Sequence, residues 1–444
     1  MRETRSPETQ KLKPWAPSWW AQDARWLSLL VPATIFAGCL AGGAIAPKTG
    51  LTLAMACALL LLGALAAPRV RNDLAGLRVG WPAAFFGLTV LAVLWSLTPF
   101  APGGPHPVWL QVGISPGAST IDKSQTLLEL IKLLGLGVIF LLGCILGRNE
   151  RRARTAFRVV LALGAGLGLW AFLAFAGGRI VGPRLSASFG APNTAATVFA
   201  LLLVLAVGVG VSRRGATTNA RLIAAAPVAA AGLVFAACLL ATASRGGVIA
   251  ASAGLAALAV LHTLLGQTRW TRATLAVAAG LVGAATLLAF AGTELIDRLG
   301  AVTWEVAGRR TIFEAHWRAF QDFPWMGYGL GSFDAVNRML LSPADVQDLW
   351  SIRAAHNIYL GWLEQAGVVG ATPMFLTVGA IVAVTLLRTA RRSRFRNHLF
   401  ALLAADVVVL VHGASDFALE TYAVAGLWSL LLGLQFAAAQ GFER

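Results

Sequence analysis

The chain contains one long polar interval, residues 293–360, which lies between strongly apolar segments. The interval reads GRRTIF at 308–313, FPWMGYGLGSF at 323–333 and AAHNIYL at 354–360. A connection of about 60 residues is uncommon inside a compact fold, and it is usually either functional or disordered. Eight Trp and Phe residues within the interval argue against disorder. We therefore predict an ordered segment that carries the functional residues.

The rest of the sequence has the composition of a membrane protein. Of 444 residues, 57% are hydrophobic and 13% are charged, whereas soluble domains contain about 25% charged residues. A soluble fold of this size could not bury so much apolar surface, so we predict an all-α, polytopic membrane protein. About twelve apolar runs are long enough to cross a bilayer as helices, at 27–46, 50–67, 79–99, 127–147, 159–177, 194–212, 222–243, 247–266, 273–292, 366–387, 399–415 and 423–440.

The distribution of Lys and Arg predicts the orientation of these spans. The segments on one side carry 24 of the 36 basic residues, and those on the other side carry 11. Because cytoplasmic loops are enriched in Lys and Arg, both termini are expected in the cytoplasm and the long polar interval in the periplasm. This placement makes a nucleic-acid partner unexpected despite the net charge of +16. It also excludes nucleoside triphosphates as a direct energy source at the outer face.

The predicted division of the chain follows from the spans and their orientation. Residues 1–26 are expected to form a cytoplasmic segment, and residues 27–292 to form transmembrane helices 1–9. Residues 293–360 are expected to form one long, structured periplasmic loop with amphipathic helices. Residues 361–444 are expected to form helices 10–12 and a short cytoplasmic tail.

Four arginines on the predicted outer side occupy unusual positions. Arg184 precedes the sixth span, Arg245 lies between two nearly contiguous spans, and Arg309 and Arg310 begin a helical segment of the long loop. Any one of them could be an interfacial arginine that extends toward lipid headgroups. Arg245 is less easily explained in this way, because a cation flanked so closely by apolar sequence is costly and suggests a function.

Helical spacing separates the two arginines of the loop. Glu314 follows Arg310 at i+4, which is typical of a solvated ion-pair stripe. Arg309 instead lines up with Phe313 and Trp317, the expected apolar face. A guanidinium group on that face would suit phosphate oxygens, which it can bind with two parallel hydrogen bonds.

His356 is the candidate proton acceptor, because it lies at the outer mouth of a span and an imidazole can accept a proton near neutral pH. Asn357 and Glu364 are seven residues apart and are expected to share a helix face, with His356 and Tyr359 beside them. A structural, interfacial histidine is the alternative. A metal site is disfavoured, because no second His, Cys or carboxylate stands at ligand spacing from His356.

Other polar and small residues have structural interpretations. Three histidines are expected in the core or at the cytoplasmic edge: His262, His398 and His412. The four cysteines lie in apolar runs and are expected to be small core residues. The series Gly327, Gly329 and Gly331 lacks the strand–helix unit of a dinucleotide site, and it predicts a tight, close-packed turn.

Together, the polar motifs resemble those of a known family. In chain order they are RLSASFGAPN at 184–193, SRG at 244–246, GRR at 308–310, PWMGYGLGSF at 324–333 and HNIYLGWLEQAG at 356–367. Their order and placement resemble the O-antigen ligase family, whose relatives include O-antigen and exopolysaccharide polymerases and some protein O-oligosaccharyltransferases. The resemblance covers about residues 180–370 and extends to the span pattern. Ala191 stands where the family pattern has Asn.

The resemblance implies a glycosyltransferase of the bacterial inner membrane that needs neither a metal nor another cofactor. Its donor would be a glycan on undecaprenyl diphosphate, and its acceptor a hydroxyl group of lipid A–core, of another polysaccharide or of a protein. His356 would act as base and Arg309 would stabilise the leaving diphosphate. The expected substrate-binding residues are Arg184, Asn193, Arg245, Arg310, Asn357, Tyr359 and Glu364.

Two other functions stay open at this point. A polymerase of the same family would share all of these motifs. A transporter or flippase for an anionic, lipid-linked substrate would use the arginines as substrate clamps. No internal repeat is apparent, however, and the polar residues concentrate on one face of the membrane instead of at its midplane.

Overall fold

The computed structural model describes residues 24–180, 182–210, 218–265, 295–343, 346–391 and 395–442. Within these ranges the regular structure is helical, without β-strands, which confirms the all-α class. The α-helices, numbered α1 to α16, are Leu27–Leu40, Pro47–Leu65, Pro68–Ala75, Gly80–Ser96, Val108–Gln111, Lys123–Gly147, Glu150–Ala176, Pro192–Gly210, Thr218–Ala241, Arg245–Leu265, Leu295–Asp322, Phe333–Met339, Val346–Leu349, Ile358–Thr389, Arg396–Gly413 and Tyr422–Gln440. Two short 3₁₀ turns occupy Gly42–Ala44 and Ala418–Glu420.

Within the described residues, eight helices are long and apolar enough to cross a membrane, namely α2, α6, α7, α8, α10, α14, α15 and α16. The pair α3 and α4 is bent by 94° and forms a ninth candidate. α1 and the part of α9 at Ala225–Ala241 are apolar but shorter. The predicted span at 273–292 lies outside the described residues. The number of twelve spans therefore stays a prediction, while the polytopic class agrees with the structure.

Two spans form the centre of the bundle. α8 and α16 bury nearly all of their side chains, which is why their sequences are apolar on every face. Close backbone contact holds α16 against α6, because Gly143 faces the carbonyl of Leu430 and Gly433 faces the carbonyl of Phe140. Small residues at such crossings are typical of membrane helices, which associate by close packing. The four cysteines are buried thiols, as expected.

The connections at one end of the bundle contact one another over long sequence distances. The Ser188 hydroxyl donates to the carbonyl of Cys39 at 2.6 Å, which joins the segment after α7 to the last turn of α1. The Ile121 N–H donates to the carbonyl of Tyr328 at 2.9 Å, which joins the segments after α5 and α11.

The polar segment after α11 inserts into a break in α14. At Gly367 the backbone adopts φ 59° and ψ −175°. The N–H of Val368 donates to the carbonyl of Pro324 at 2.9 Å, and the N–H of Tyr328 donates to the carbonyl of Glu364 at 2.9 Å. The inserted segment thus satisfies polar groups that a continuous helix would have paired internally. This exchange attaches the loop to the bundle.

The glycine series behaves as predicted. Gly327, Gly329 and Gly331 all have positive φ, a region that favours glycine. A Cβ atom at Gly329 would collide with the side chains of Thr120 and Thr126. The tight, close-packed turn is therefore confirmed, and its partner is the segment at the start of α6.

Replacement of Gly367 by Ala is expected to lower the free energy of unfolding by about 2–5 kcal/mol, the combined cost of a Gly-only backbone conformation and of overpacking. A Cβ atom there would strike the carbonyl group of Trp325. Gly379 in the same helix is the matched control, because it has open space within 4 Å of its Cβ position. Thermal denaturation in detergent should show a lower Tm for Gly367→Ala than for Gly379→Ala, and equal Tm values would contradict the insertion.

Candidate functional site

The first part of the site forms at the start of α8. Arg184 lies in the connection before this helix, and its Nε donates to the carbonyl of Thr242 at 2.8 Å. A terminal nitrogen of the same guanidinium group donates to Oδ1 of Asn193 at 3.0 Å. Two segments that are about 50 residues apart in sequence are joined by one side chain. Arg184 and Asn193, both predicted as binding residues, are therefore joined by a hydrogen bond.

Asp416 lies at the centre of the site, although sequence reasoning did not select it. Its side chain is buried between α15 and the second 3₁₀ turn, and Oδ2 accepts from the N–H of Ala418 at 3.1 Å. Burial raises the pKa of Asp416 from 3.8 to about 6, although the N–H groups of Phe417 and Ala418, the charge of Arg309 and the Asn193 side chain act to lower it. Asp416 therefore links Arg309 electrostatically to Asn193 and, through Asn193, to Arg184.

Arg309 approaches the same centre from α11. It is half-buried, and its charge acts on both Asp416 and His412. His412 is buried in the last turn of α15, where its Nδ1 forms a hydrogen bond with Thr197 Oγ1 at 2.6 Å. Its burial agrees with the core prediction.

Arg245 begins α10 directly beside this group, and its side chain is exposed. The next residue, Gly246, faces the His412 ring, and a Cβ atom at this position would lie 3.0 Å from Nε2 of His412. A larger residue at position 246 would displace the His412 side chain. The glycine after Arg245 thus permits close packing of α10 on α15.

His356 joins the site through an aromatic contact. Its ring meets Phe417 edge to face, with ring centroids 4.8 Å apart. Phe417 directly follows Asp416, so His356 contacts the segment that carries the buried carboxyl group. The backbone of His356 has φ 51°, which is uncommon for a non-glycine residue. We call the group formed by Arg184, Asn193, Arg309, His356 and Asp416 the arginine site.

Two other predicted binding residues support the helix that follows His356. The Oδ1 of Asn357 accepts from the N–H groups of Tyr359 at 3.0 Å and of Leu360 at 3.1 Å, so Asn357 is the N-cap of α14. The Tyr359 hydroxyl donates to the carbonyl of Leu410 in α15 at 2.7 Å. These contacts fix the start of α14, and with it the position of His356.

Glu364 differs from the prediction of a face shared with Asn357. Its side chain is fully buried, and Oε2 lies 2.8 Å from Nδ1 of His316 in α11. The capping role turns Asn357 toward the backbone, while Glu364 points toward α11. The pair holds α11 on α14, which sequence reasoning missed because 48 residues separate its members.

The buried face of α11 also differs from the predicted one. Ile312, His316 and Ala319 are buried, whereas Phe313 is 43% and Trp317 is 38% exposed. The aromatic residues lie outside the packed face because insertion of the loop into α14 sets the rotation of α11. The three buried residues are spaced i, i+4 and i+7, and this helical spacing is the sequence signal that could have predicted the buried face.

Arg310 lies away from the arginine site. Its side chain is 79% exposed, and Nε donates to Oε1 of Glu314 at 2.6 Å. The ion-pair stripe predicted from i, i+4 spacing is thus present. The assignment of Arg310 as a substrate-binding residue receives no support from its position.

A cavity of about 1680 Å³ opens beside the arginine site and runs between α4, α6, α14 and α16. Phe189, Ala191 and Phe417 line it next to Asn193 and Asp416. Its walls toward the bundle are apolar and include Phe86, Leu133, Phe140, Met374, Val378 and Trp428. An elongated apolar molecule with a polar head would match a cavity whose apolar walls run from the arginine site into the bundle. No group of three or more His, Cys, Asp or Glu residues suited to a metal ion occurs in the described part of the chain.

Residues 229–375 match the family model described as O-antigen ligase. The match supports an assignment of this region to the O-antigen ligase family. The matched region contains Arg245, Arg309 and His356, while Arg184 and Asp416 lie outside it. Members of the family are membrane glycosyltransferase-like enzymes, either ligases or polymerases. A comparison with curated proteins finds no match.

Replacement of Asp416 by Asn is expected to change how stability depends on pH. Between pH 3.8 and about 6 the folded protein keeps a proton on Asp416 that the unfolded chain has lost. Stability must therefore fall as pH rises through this window, by about 1.4 kcal/mol for each unit of pKa difference. The Tm of Asp416→Asn relative to wild type should rise between pH 4 and pH 6. Asp348→Asn, at an exposed position, should keep the wild-type slope, and an unchanged slope in Asp416→Asn would contradict the prediction.

Proposed function

We propose that the protein is an O-antigen ligase-like glycosyltransferase. It transfers a glycan en bloc from undecaprenyl diphosphate to an acceptor hydroxyl group, on lipid A–core or on a polysaccharide, at the periplasmic face of a bacterial inner membrane. The observation that carries this proposal is the convergence of Arg309 and, through Asn193, of Arg184 on Asp416, with His356 in contact with the neighbouring Phe417. The family match to residues 229–375 supports the reaction class.

The reaction needs positive charge beside the donor phosphate whose bond to the sugar breaks. The acceptor oxygen attacks the anomeric carbon, and the bond between that carbon and the phosphate oxygen breaks. The electron pair goes to undecaprenyl diphosphate, which leaves with increased negative charge. Preorganised cations at this position stabilise the transition state more than the ground state. In our proposal Arg309, Arg184 and Arg245 bind the diphosphate, with Arg309 closest to the breaking bond.

The reaction also needs a group that receives the acceptor proton. We assign this role to His356, whose ring contacts Phe417, the residue that follows Asp416. The proton moves from the acceptor hydroxyl to the imidazole as the new glycosidic bond forms. Neither a metal nor another cofactor enters this scheme, since arginines supply the charge stabilisation.

The remaining residues position the reacting groups. In our proposal Asp416 and Asn193 orient Arg309 and Arg184, because Asn193 accepts a hydrogen bond from Arg184 and the charge of Arg309 acts on Asp416. Asn357 and Tyr359 fix the start of α14, and Glu364 fixes α11 through His316. We therefore propose positioning roles for Asn357, Tyr359 and Glu364 instead of direct substrate contact. The apolar walls of the cavity receive the prenyl chain of the donor lipid.

A deletion strain tests this function and separates it from a polymerase. If the protein is a ligase, surface glycans on a gel should lose long chains from lipid A–core, while the lipid-linked polymer accumulates. Single repeat units on lipid A–core would instead indicate a polymerase. Release of undecaprenyl diphosphate by membranes that contain the protein distinguishes both enzymes from a transporter, which moves its substrate intact.

A further inference from the structure

The cavity beside the arginine site has a polar end whose chemistry differs from its apolar walls. This polar end is formed by Gln125, Glu129 and Lys132 of α6, Gln365 of α14, and Glu420 of the second 3₁₀ turn. We propose that it is a binding subsite for one uncharged sugar ring. The proposal rests on the glycosyltransferase function and names the chemistry of the sugar that the enzyme accepts beside its diphosphate site.

The polar end offers both donors and acceptors in fixed orientations. The N–H of Gly331 donates to Oε1 of Gln365 at 2.7 Å, so the Nε2 group of Gln365 is presented as a donor. Lys132 Nζ lies 2.8 Å from Oε1 of Glu129, which neutralises part of the local charge. Carboxyl oxygens accept from hydroxyl groups, and amide and ammonium groups donate to them. A sugar ring carries adjacent hydroxyl groups that need both kinds of partner.

A missing side chain leaves room for a ring between these groups. Gly361 lines the cavity, and a Cβ atom there would lie 3.6 Å from Oε1 of Glu420 and 3.8 Å from Nε2 of Gln365. A long side chain at this position would occupy the space between the two polar groups. Trp362 and Tyr422 also line the cavity and supply aromatic surface next to the polar atoms.

The charge of the polar end favours a neutral sugar over an anionic one. Burial, together with the carboxyl groups of Glu129, Glu364 and Asp416, raises the pKa of Glu420 from 4.5 to about 8, against the opposing effect of Lys132. Near neutral pH this carboxyl group can therefore both donate and accept a hydrogen bond. The neighbouring carboxylates that favour its proton would repel a uronate or a sugar phosphate.

Binding to the purified protein tests the subsite without any transfer reaction. Trp362 and Trp428 line the cavity and serve as fluorescence reporters. The probes are N-acetylglucosamine, galactose and glucuronate, each titrated at millimolar concentration. We expect saturable fluorescence changes with at least one neutral sugar. The affinity for glucuronate should be at least tenfold weaker. Equal affinity for glucuronate, or no saturable binding of either neutral sugar, would overturn the proposal.

Three variants locate the binding. Glu420→Leu keeps a similar side-chain volume but removes the carboxyl group, so it should weaken neutral-sugar binding about tenfold, and Gly361→Leu should abolish it. Glu150→Gln is the control, because Glu150 pairs with Arg154 in α7 outside the cavity. Comparable Tm values would show that the variants are folded. Unchanged binding by Glu420→Leu would place the sugar elsewhere and refute the subsite.

Transfer assays in membranes then show whether the bound sugar ring belongs to the acceptor or to the donor. An increased KM for the acceptor in Glu420→Leu would assign the ring to the acceptor, whereas an increased KM for the donor would assign it to the first donor sugar. Unchanged KM values for both substrates would overturn the subsite. If wild-type protein binds neutral sugars but transfers no glycan, the subsite stands and the proposed function fails.

Discussion

Arg309→Ala is expected to lower glycan transfer by roughly 10²–10³-fold, the cost typical of removing one preorganised group that stabilises developing negative charge. Arg309 is half-buried and acts on Asp416 and His412. In our proposal it contacts the diphosphate both before and during bond breaking. Donor binding should therefore weaken together with the rate. Transfer of labelled glycan and binding of the lipid-linked donor are measured in parallel, with each variant expressed at equal level.

Arg309→Lys should not restore transfer, because an ammonium group cannot reproduce the planar, two-pronged hydrogen bonding of guanidinium. The adjacent Arg310 supplies an unusually close control. It pairs with Glu314 and is 79% exposed, so Arg310→Ala should stay near wild-type activity. Equal losses of activity in Arg309→Ala and Arg310→Ala would show that it is wrong to assign only one of these two arginines to the face of α11 toward the site. If neither loses activity, Arg309 is an interfacial residue and the proposed diphosphate site is wrong.

His356→Ala is expected to slow transfer by roughly 10²–10⁴-fold, the contribution typical of a general acid–base group. Donor binding should change little, because the arginines hold the diphosphate. This difference separates His356 from Arg309 in the same pair of assays. Transfer is measured from pH 6 to pH 8 with saturating donor. Near-normal transfer across that range would show that the histidine only packs against Phe417.

The backbone at His356 requires a second variant. Its φ of 51° is unfavourable for Ala but more readily adopted by Asn. His356→Asn should therefore preserve the fold and still lack a proton acceptor of suitable basicity. Loss of transfer in both variants with a wild-type Tm for His356→Asn supports the base assignment. Recovery of transfer in His356→Asn would assign the alanine defect to backbone strain.

Local patterns were sufficient to predict several elements. The glycine series predicted a tight turn because positive φ favours glycine wherever a chain turns closely against another segment. The i, i+4 spacing of Arg310 and Glu314 predicted their ion pair, since a helix places such residues side by side. Arg184 and Asn193 were both selected from one motif, but their hydrogen bond appears only in the structure.

Other features depended on segments that are distant in sequence. Asp416 follows a span without a recognisable motif, and its environment is created by α8, α11 and the second 3₁₀ turn together. The His316–Glu364 pair forms because the loop inserts into the break at Gly367 and thereby rotates α11. No periodicity within either helix contains this information.

The sequence by itself determined that the chain is a helical membrane protein. Its apolar runs are long and its charged residues are few, and within a bilayer an apolar segment of this kind pairs its backbone N–H and C=O groups by forming a helix. The sequence also pointed to candidate residues, because cations and imidazole are costly beside apolar spans, but it did not point to Asp416. Only the tertiary structure decided which residues lie close together. The interaction of Arg309 with Asp416 and the ring contact of His356 with Phe417 arise from packing between segments that are distant in sequence, and burial and nearby charge at such contacts set pKa values.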